Sequence, residues 1–230
     1  MSGYVTKNLA AVNAKIRAAE SLAGREGRTA LIAAVKYATD EELRELLAAG
    51  VLDVGENRVQ QLLSHMSVYE GSGARIHFIG TLQKNKVKYI IDKVFAIHSV
   101  DTAALAREIS RHAQQRGITV RVFAEINIGR EPAKSGVLPE QAQALCREIV
   151  GLPGLDLVGL MTMAPKCESD AAYREYFAKT GALAGQIWQR LGLAGTPLLS
   201  MGMSESFCAA IAEGADMVRV GRRLFLKEEI

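Results

Sequence analysis

The sequence predicts an α/β fold, a (β/α)8 or TIM barrel that residues 1–230 form as a single domain. Eight short apolar runs alternate with longer amphipathic segments whose period is near 3.6 residues. A chain of 230 residues, 49% apolar and 23% charged, can bury one large core. An open doubly wound sheet is the alternative. We favour the barrel because the runs number eight and no Gly-x-Gly-x-x-Gly motif opens a helix after a strand.

Each apolar run is short enough for one strand, and several are rich in β-branched residues. The eight predicted strands cover residues 31–36, 51–56, 75–80, 94–100, 119–128, 155–163, 197–202 and 217–221. An extra helix over roughly residues 5–23 precedes the first strand. The linking helices are predicted at about 40–49, 57–69, 84–93, 102–116, 139–151, 171–191 and 205–214.

Start and stop signals agree with this division. Thr39 followed by Glu42 has the spacing of a capping box, which begins a helix. Gly50, Gly117 and Gly214 lie where helices should end, since glycine adopts the left-handed conformation at low cost. We therefore expect parallel strands buried on both faces, as in a packed barrel.

Composition narrows the classes of function. The formal charge is +3 and no basic run exceeds Arg222-Arg223, so we expect no nucleic-acid partner and favour small anions. No apolar stretch approaches the ~20 residues of a membrane span, and no export signal opens the chain. Three distant cysteines fit neither a disulfide framework nor a metal site, and the four histidines are dispersed. We expect a cytoplasmic protein that binds no metal and no membrane.

Lys36 directly follows five apolar residues at the end of the first predicted strand. Barrels of this kind carry their reactive groups at that end of the strands. Burial would disfavour the ammonium form, lower the lysine pKa and give an amine able to condense with an aldehyde. A lysine that merely reaches the solvent at the rim explains the position equally well, so both interpretations stay open.

The loops after strands seven and eight contain a second group of candidates. These two loops form the usual phosphate site of (β/α)8 barrels. Gly202 and Gly221 allow backbone N–H groups to approach an anion, and Ser200 and Ser204 offer hydroxyls. Ser204 could also cap a helix that begins near Glu205. A turn with an N-cap explains the same residues without a ligand.

Several motifs, in this order and spacing, resemble the pyridoxal phosphate homeostasis family. The match runs from about Leu31 to Phe225. The motifs are AVK at 34–36, VGENRVQ at 54–60, HFIGTLQKNK at 77–86, KSG at 134–136, GLM at 159–161 and LSMGMS at 199–204.

The resemblance implies a barrel like the N-terminal domain of alanine racemase, of fold type III among pyridoxal 5'-phosphate (PLP) proteins. It implies a Schiff base between PLP and Lys36, Arg219 opposite the pyridine nitrogen and Asn57 near the ring. Ser200, Ser204, Gly221 and the N–H of Arg222 would hold the phosphate, beside Gly202. The implied function is PLP, vitamin B6 and amino-acid homeostasis with little or no catalysis. Partners would be PLP and PLP-dependent apoenzymes, and the protein a monomer or weak homodimer.

Three positions depart from the family pattern. Val35 replaces a usual Ser or Thr, Ile76 a common Trp, and Arg222 a usual Thr or Ser. The last change removes one hydroxyl contact to the phosphate, although the Arg222 guanidinium could supply charge by turning inward.

Two rival functions remain open. A PLP-dependent amino-acid racemase could use Lys36 as its one base. An alanine racemase of this fold needs a second base from a further domain of a partner subunit, and we expect no such domain here, since the predicted eighth strand lies about ten residues before the last residue given. A lysine Schiff-base aldolase would need no cofactor. The anion-holding loops and Arg219 argue against it.

Overall fold

The computed structural model describes residues 3–227, and in it eight parallel strands close into a barrel in chain order. β1 pairs with both β2 and β8, so the sheet has no open edge there. The predicted (β/α)8 fold is confirmed and the open-sheet alternative is wrong. The strands are β1 Ala30–Ala34, β2 Asp53–Glu56, β3 Arg75–Phe78, β4 Ala96–Val100, β5 Val120–Ile126, β6 Leu155–Thr162, β7 Leu198–Ser200 and β8 Met217–Val220.

Helices alternate with the strands and cover the barrel, as the 3.6-residue pattern predicts. Among residues 3–227 none of them combines the length and apolar character needed to span a bilayer. The helices are α1 Tyr4–Leu22, α2 Asp40–Ala48, α3 Val59–Tyr69, α4 Val87–Ile90, α5 Ala103–Arg116, α6 Pro139–Val150, α7 Asp170–Leu191, α8 Phe207–Ala212 and α9 Arg222–Phe225.

The predicted helix signals occur where expected. The Glu42 amide donates to Thr39 Oγ1 at 3.2 Å and the Thr39 amide donates to Glu42 Oε2 at 2.8 Å, which is the predicted capping box. Gly117 ends α5 with φ of 63°, and Gly50 and Gly214 have φ of 88° and 92° after their helices. The opening helix α1 buries residues at a spacing of three to four, including Val5, and packs against α8 and α9.

Two helices differ in extent from the prediction, and one further helix was not predicted. The segment expected at 84–93 is a 3-10 turn over Lys84–Lys86 followed by the four-residue α4, and no side chain caps either start. The helix expected at 205–214 is only α8, because a turn precedes it in which Met203 O accepts from Ser206 N and Phe207 N. The sequence did not predict α9, which is too short to show a period.

Two cores fill the protein. A large apolar core lies between the strands and the helices, and a small cluster of Ala96, Phe123 and Met161 lies separately from it. Polar residues also lie in the barrel, because the inward positions of β2, β3, β4, β7 and β8 carry them. They are Asp53, His77, His98, Ser200 and Arg219, all buried.

Gly185 gives a test of the helical assignment. It lies within α7, and a Cβ there would meet nothing within 4 Å. Gly185→Ala should raise the free energy of unfolding by about 1 kcal/mol, because alanine loses less backbone entropy in a helix. Urea unfolding would measure it, with the exposed Ala182→Gly in the same helix as a control of opposite sign. A loss of stability in Gly185→Ala would contradict the assignment.

Candidate cofactor site

A cavity of about 490 Å³ opens at the carboxyl ends of the strands. Its lining comes from the segments that follow β1, β2, β3 and β6 and from the end of β5, which is where barrels of this class bind ligands. The lining residues are Lys36, Tyr37, Asn57, Arg58, Ile79, Gly80, Thr81, Glu125 and Met163. Of the predicted cofactor-binding residues, Lys36 and Asn57 line this cavity, and those on strands seven and eight and their loops do not.

Lys36 lies two residues beyond β1, in a turn. The Val35 amide still donates to Gly55 O at 3.0 Å, and the chain then turns as the Ala38 amide donates to Val35 O. The Lys36 side chain is exposed, with Nζ 4.8 Å from the centre of the Tyr37 ring. Of the two interpretations of Lys36, the structure agrees with the lysine that reaches the solvent at the rim, because the strand ends before it and the side chain reaches the open cavity.

Gly221 lies close to the end of the first strand. The register pairs Ala33 with Val220, so Gly221 continues the ladder beside Ala34. A Cβ on Gly221 would lie 2.8 Å from Ala34 O, so only glycine permits this approach. The backbone after β8 therefore lies next to the residues that position Lys36.

Gly202 has a different reason for being glycine. Its φ is 90°, and a Cβ there would lie 2.5 Å from Ala210 Cβ in α8. Packing against α8 accounts for the residue without a ligand. Ser204 does not cap α8 as predicted, because the helix begins at Phe207 and the preceding residue is Ser206. The Ser204 carbonyl instead accepts from Arg223 Nε at 2.5 Å.

Arg219 lies inside the barrel, 5% exposed. One terminal nitrogen donates to Ser200 Oγ at 2.8 Å and the other to Thr162 O at 2.9 Å. Burial lowers the pKa of Arg219 to about 10, and the charge of Glu125 opposes that shift. The guanidinium is still a cation at neutral pH.

Ser200 is directed into the barrel interior. It is 0% exposed, and its hydroxyl bonds with Arg219 and with His98 Nδ1 at 2.9 Å. The structure therefore commits this hydroxyl to Arg219, which differs from the phosphate contact predicted for it. The sequence alone does not show whether the Ser200 side chain points into the barrel or toward the loops.

Arg222 points outward. Its side chain is 70% exposed, and one guanidinium nitrogen lies 3.3 Å from Glu205 Oε1. The inward turn that would supply charge to an anion does not occur. The predicted contribution of Arg222 is left with its backbone N–H.

Asn57 carries a buried acceptor with no partner. Within residues 3–227 its Oδ1 has no hydrogen bond, a costly condition for a buried polar atom unless a ligand or water completes it. Gly80 holds the Asn57 backbone, because a Cβ on Gly80 would lie 2.1 Å from Asn57 O. Asn57 thus lines the cavity with a hydrogen-bond acceptor that has no partner among the described residues.

Glu125 was not singled out from the sequence. It lies on β5, opposite β1 in the closed barrel, and lines the same cavity as Lys36. Burial and the charge of Asp101 raise the pKa of Glu125 to about 7, against the opposing charge of Arg219. An acidic residue within the apolar run of strand five was the signal that could have identified it.

Comparison with known proteins agrees with this geometry. The family model described as "Alanine racemase, N-terminal domain" matches residues 8–228. The pyridoxal phosphate homeostasis protein of Aquifex aeolicus (strain VF5) is 40% identical over 220 residues, covering 95% of this chain and 96% of that protein. The protein of the same name from Deinococcus radiodurans is 41% identical over 217 residues, covering 94% and 98%.

Solved structures give the same answer for the fold. PipY of Synechococcus elongatus PCC7942, solved with PLP bound, superimposes with a TM-score of 0.85 at 29% identity, covering 96% of this chain and 100% of PipY. Alanine racemase of Clostridium difficile 630 has a TM-score of 0.77 at 17% identity, with 99% and 58% covered, which is a likeness of fold alone.

Fold and site define the class as a barrel of the alanine racemase N-terminal type, with a lysine at the mouth of the cavity. Relatives at 30% identity or more that span nearly the full length narrow it further. The chain belongs to the pyridoxal phosphate homeostasis protein family.

Proposed function

We propose that this protein binds PLP as a Schiff base on Lys36 and serves intracellular PLP, vitamin B6 and amino-acid homeostasis. The observation that carries the proposal is the cavity that joins the Lys36 amine to the unpartnered Asn57 Oδ1. An amine and an open acceptor suit a polar aromatic aldehyde. The names of the relatives and the PLP in PipY support the same cofactor.

Different residues would contact different parts of the cofactor. The Lys36 amine would take the aldehyde, and Asn57 the polar edge of the ring. Backbone N–H groups at Gly221 and Arg222, with Ser204, would hold the phosphate, since the approach of Gly221 to Ala34 leaves no Cβ in the way. Gly202 shapes the loop through α8. Ser200 acts on the site through Arg219.

PLP when bound would supply an electron-withdrawing ring that stabilises negative charge on the carbon next to an attached amine nitrogen. We assign Arg219 to the pyridine nitrogen, where it would be a donor that stays charged and does not give up its proton. The ring nitrogen would remain unprotonated, which weakens that electron withdrawal. We propose for this reason that the protein holds and delivers the cofactor, with little or no catalysis.

Other features of the proposal concern assembly and surroundings. We propose a cytoplasmic protein of one domain, monomeric or weakly dimeric, whose partners are PLP-dependent apoenzymes and neither nucleic acid nor membrane. A net charge of +3 without a basic run supports the statement on nucleic acid.

Spectroscopy and transfer together test the proposed function. Purified protein titrated with PLP should develop a near-visible band, and the loaded protein should reactivate a PLP-dependent apoenzyme. A cofactor-free aldolase would develop no such band. Sustained inversion of single-enantiomer alanine or serine would favour the racemase. Absence of the band on addition of PLP would refute the proposal.

A further inference from the structure

A chain of hydrogen bonds crosses the barrel interior from Arg219 to Asp53. Arg219 bonds with Ser200 Oγ at 2.8 Å, and Ser200 Oγ with His98 Nδ1 at 2.9 Å. His98 Nε2 lies 2.9 Å from His77 Nδ1, and His77 Nε2 lies 2.9 Å from Asp53 Oδ1. One continuous path therefore joins four side chains behind Arg219 on five strands.

The path is isolated from solvent along its centre. His77, His98 and Ser200 are at most 1% exposed, and His98 stacks on Phe123 with ring centres 4.2 Å apart. Beyond Asp53, Arg75 donates to Asp53 Oδ2 at 2.5 Å and is itself half-exposed. Over residues 3–227 no group of three or more His, Cys, Asp and Glu is arranged to hold a metal. The interactions that these side chains make along the path are hydrogen bonds.

The two ends fix the direction of every proton. Arg219 can only donate. Burial alone would raise the pKa of Asp53, but hydrogen bonds from His77 and Arg75 lower it, so Asp53 is a carboxylate that only accepts. Burial first, and then the nearby charge of Arg219, hold the pKa of His98 well below its ordinary value, so that ring is neutral.

Ser200 Oγ bonds with Arg219 and with His98 Nδ1, and because a guanidinium cannot accept, the Ser200 hydroxyl donates to His98 Nδ1. One arrangement of protons then satisfies every bond. His77 donates from Nε2 to Asp53 and accepts at Nδ1. His98 must then donate from Nε2 to His77 and accept at Nδ1 from the Ser200 hydroxyl. Ser200 Oγ keeps its lone pairs for Arg219. Each donor points from the cofactor end of the barrel toward Asp53.

We propose that Asp53, His77, His98 and Ser200 are positioning residues that act in series to orient the Arg219 guanidinium. Asp53 fixes the tautomer of His77, which fixes that of His98. His98 in turn fixes the Ser200 hydroxyl, which presents its lone pairs to Arg219. Thr162 O holds the other terminal nitrogen of Arg219. The consequence for PLP rests on the proposed function, but the tautomers do not.

Long-range ¹H–¹⁵N NMR of the cofactor-free protein tests the direction of the chain. The wild type should carry the His98 proton on Nε2. The amide introduced by Asp53→Asn can donate to His77 as well as accept from it. His98 should therefore shift toward the Nδ1–H tautomer, although residue 53 does not contact His98. The Glu56 carboxylate bonds with His65 Nδ1 at 2.7 Å and is not part of this series of hydrogen bonds. Glu56→Gln should therefore leave the His98 tautomer unchanged. A wild-type His98 proton on Nδ1, or no response to Asp53→Asn, would overturn the inference.

PLP titration of the whole protein tests the effect on Arg219. Ser200→Ala should weaken PLP binding about tenfold, the effect expected when a buried charge loses a hydrogen-bond partner. Ser200→Thr keeps a hydroxyl and should restore binding. Tyr69→Phe removes the buried hydroxyl that donates to Glu56 at 2.6 Å and should not change PLP affinity.

The outcomes separate the two proposals. Unchanged PLP affinity in Ser200→Ala would overturn the positioning role while leaving the proposed function intact. A wild type that binds no PLP would defeat the proposed function. The His98 tautomer would then be the remaining test of the direction of the hydrogen bonds between Arg219 and Asp53.

Discussion

Lys36→Ala should carry no pyridoxyl adduct after incubation with PLP and borohydride reduction. The reason is that the amine at the mouth of the cavity is the group placed to form the covalent bond. Peptide mass mapping of the wild type should find the adduct on the peptide that contains Lys36, and the near-visible band should be absent from the variant. Because Lys36 is exposed, the free energy of unfolding should change by less than about 0.5 kcal/mol.

Two further lysines serve as controls for this result. Lys84 is exposed at the start of the 3-10 turn, and Lys84→Ala should retain the Lys36 adduct. Lys134 forms an ion pair with Glu131 and donates to Ala164 O at 3.3 Å. Because these contacts occupy its amine, we expect no adduct on Lys134. An adduct on either lysine in the Lys36→Ala protein would show that PLP is held elsewhere and contradict the assignment.

The sequence could predict the barrel because the evidence for it is local. Strand and helix periods, the Thr39 capping box and the glycines at helix ends are each read within one segment. Closure of the barrel then pairs the first strand with the last, so that Gly221 lies beside Ala34, two residues before Lys36. The pairing of these strands therefore needed no knowledge of side-chain contacts.

The sequence could not predict contacts made across the barrel. His77 and His98 lie 21 residues apart and look unrelated, yet adjacent inward positions on β3 and β4 bring them into a hydrogen bond. The sequence predicts a phosphate contact for the Ser200 hydroxyl, but in the structure this hydroxyl bonds with the buried Arg219 guanidinium. Such pairings depend on the inward direction of several strands at once, which periodicity does not specify.

The polar interior bears on stability as well as on the site. Glu125 is 2% exposed, and its ordinary pKa of 4.5 is raised to about 7 chiefly by burial. The folded state therefore binds the Glu125 proton more tightly than the unfolded chain does. As pH rises from 4.5 through 7 the folded protein must accommodate a buried carboxylate, and stability is lost across that window.

Glu125→Gln should remove this penalty. At about pH 8 the cofactor-free variant should exceed the wild type in free energy of unfolding by about 3 kcal/mol, and near pH 4 the two should be equal. Urea unfolding across the range would measure the difference. Glutamine keeps the size of the side chain, so repacking contributes little.

Glu140→Gln is the matched control for Glu125→Gln. Glu140 is exposed, and hydrogen bonds from Arg130 lead the causes that lower its pKa, so its replacement should give no gain at high pH. A pH-independent difference between Glu125→Gln and the wild type would contradict the raised pKa. Equal stability of the two near pH 8 would mean that the Glu125 carboxylate is solvated or paired in solution. In either case the pKa of Glu125 would not be raised by burial in the folded protein.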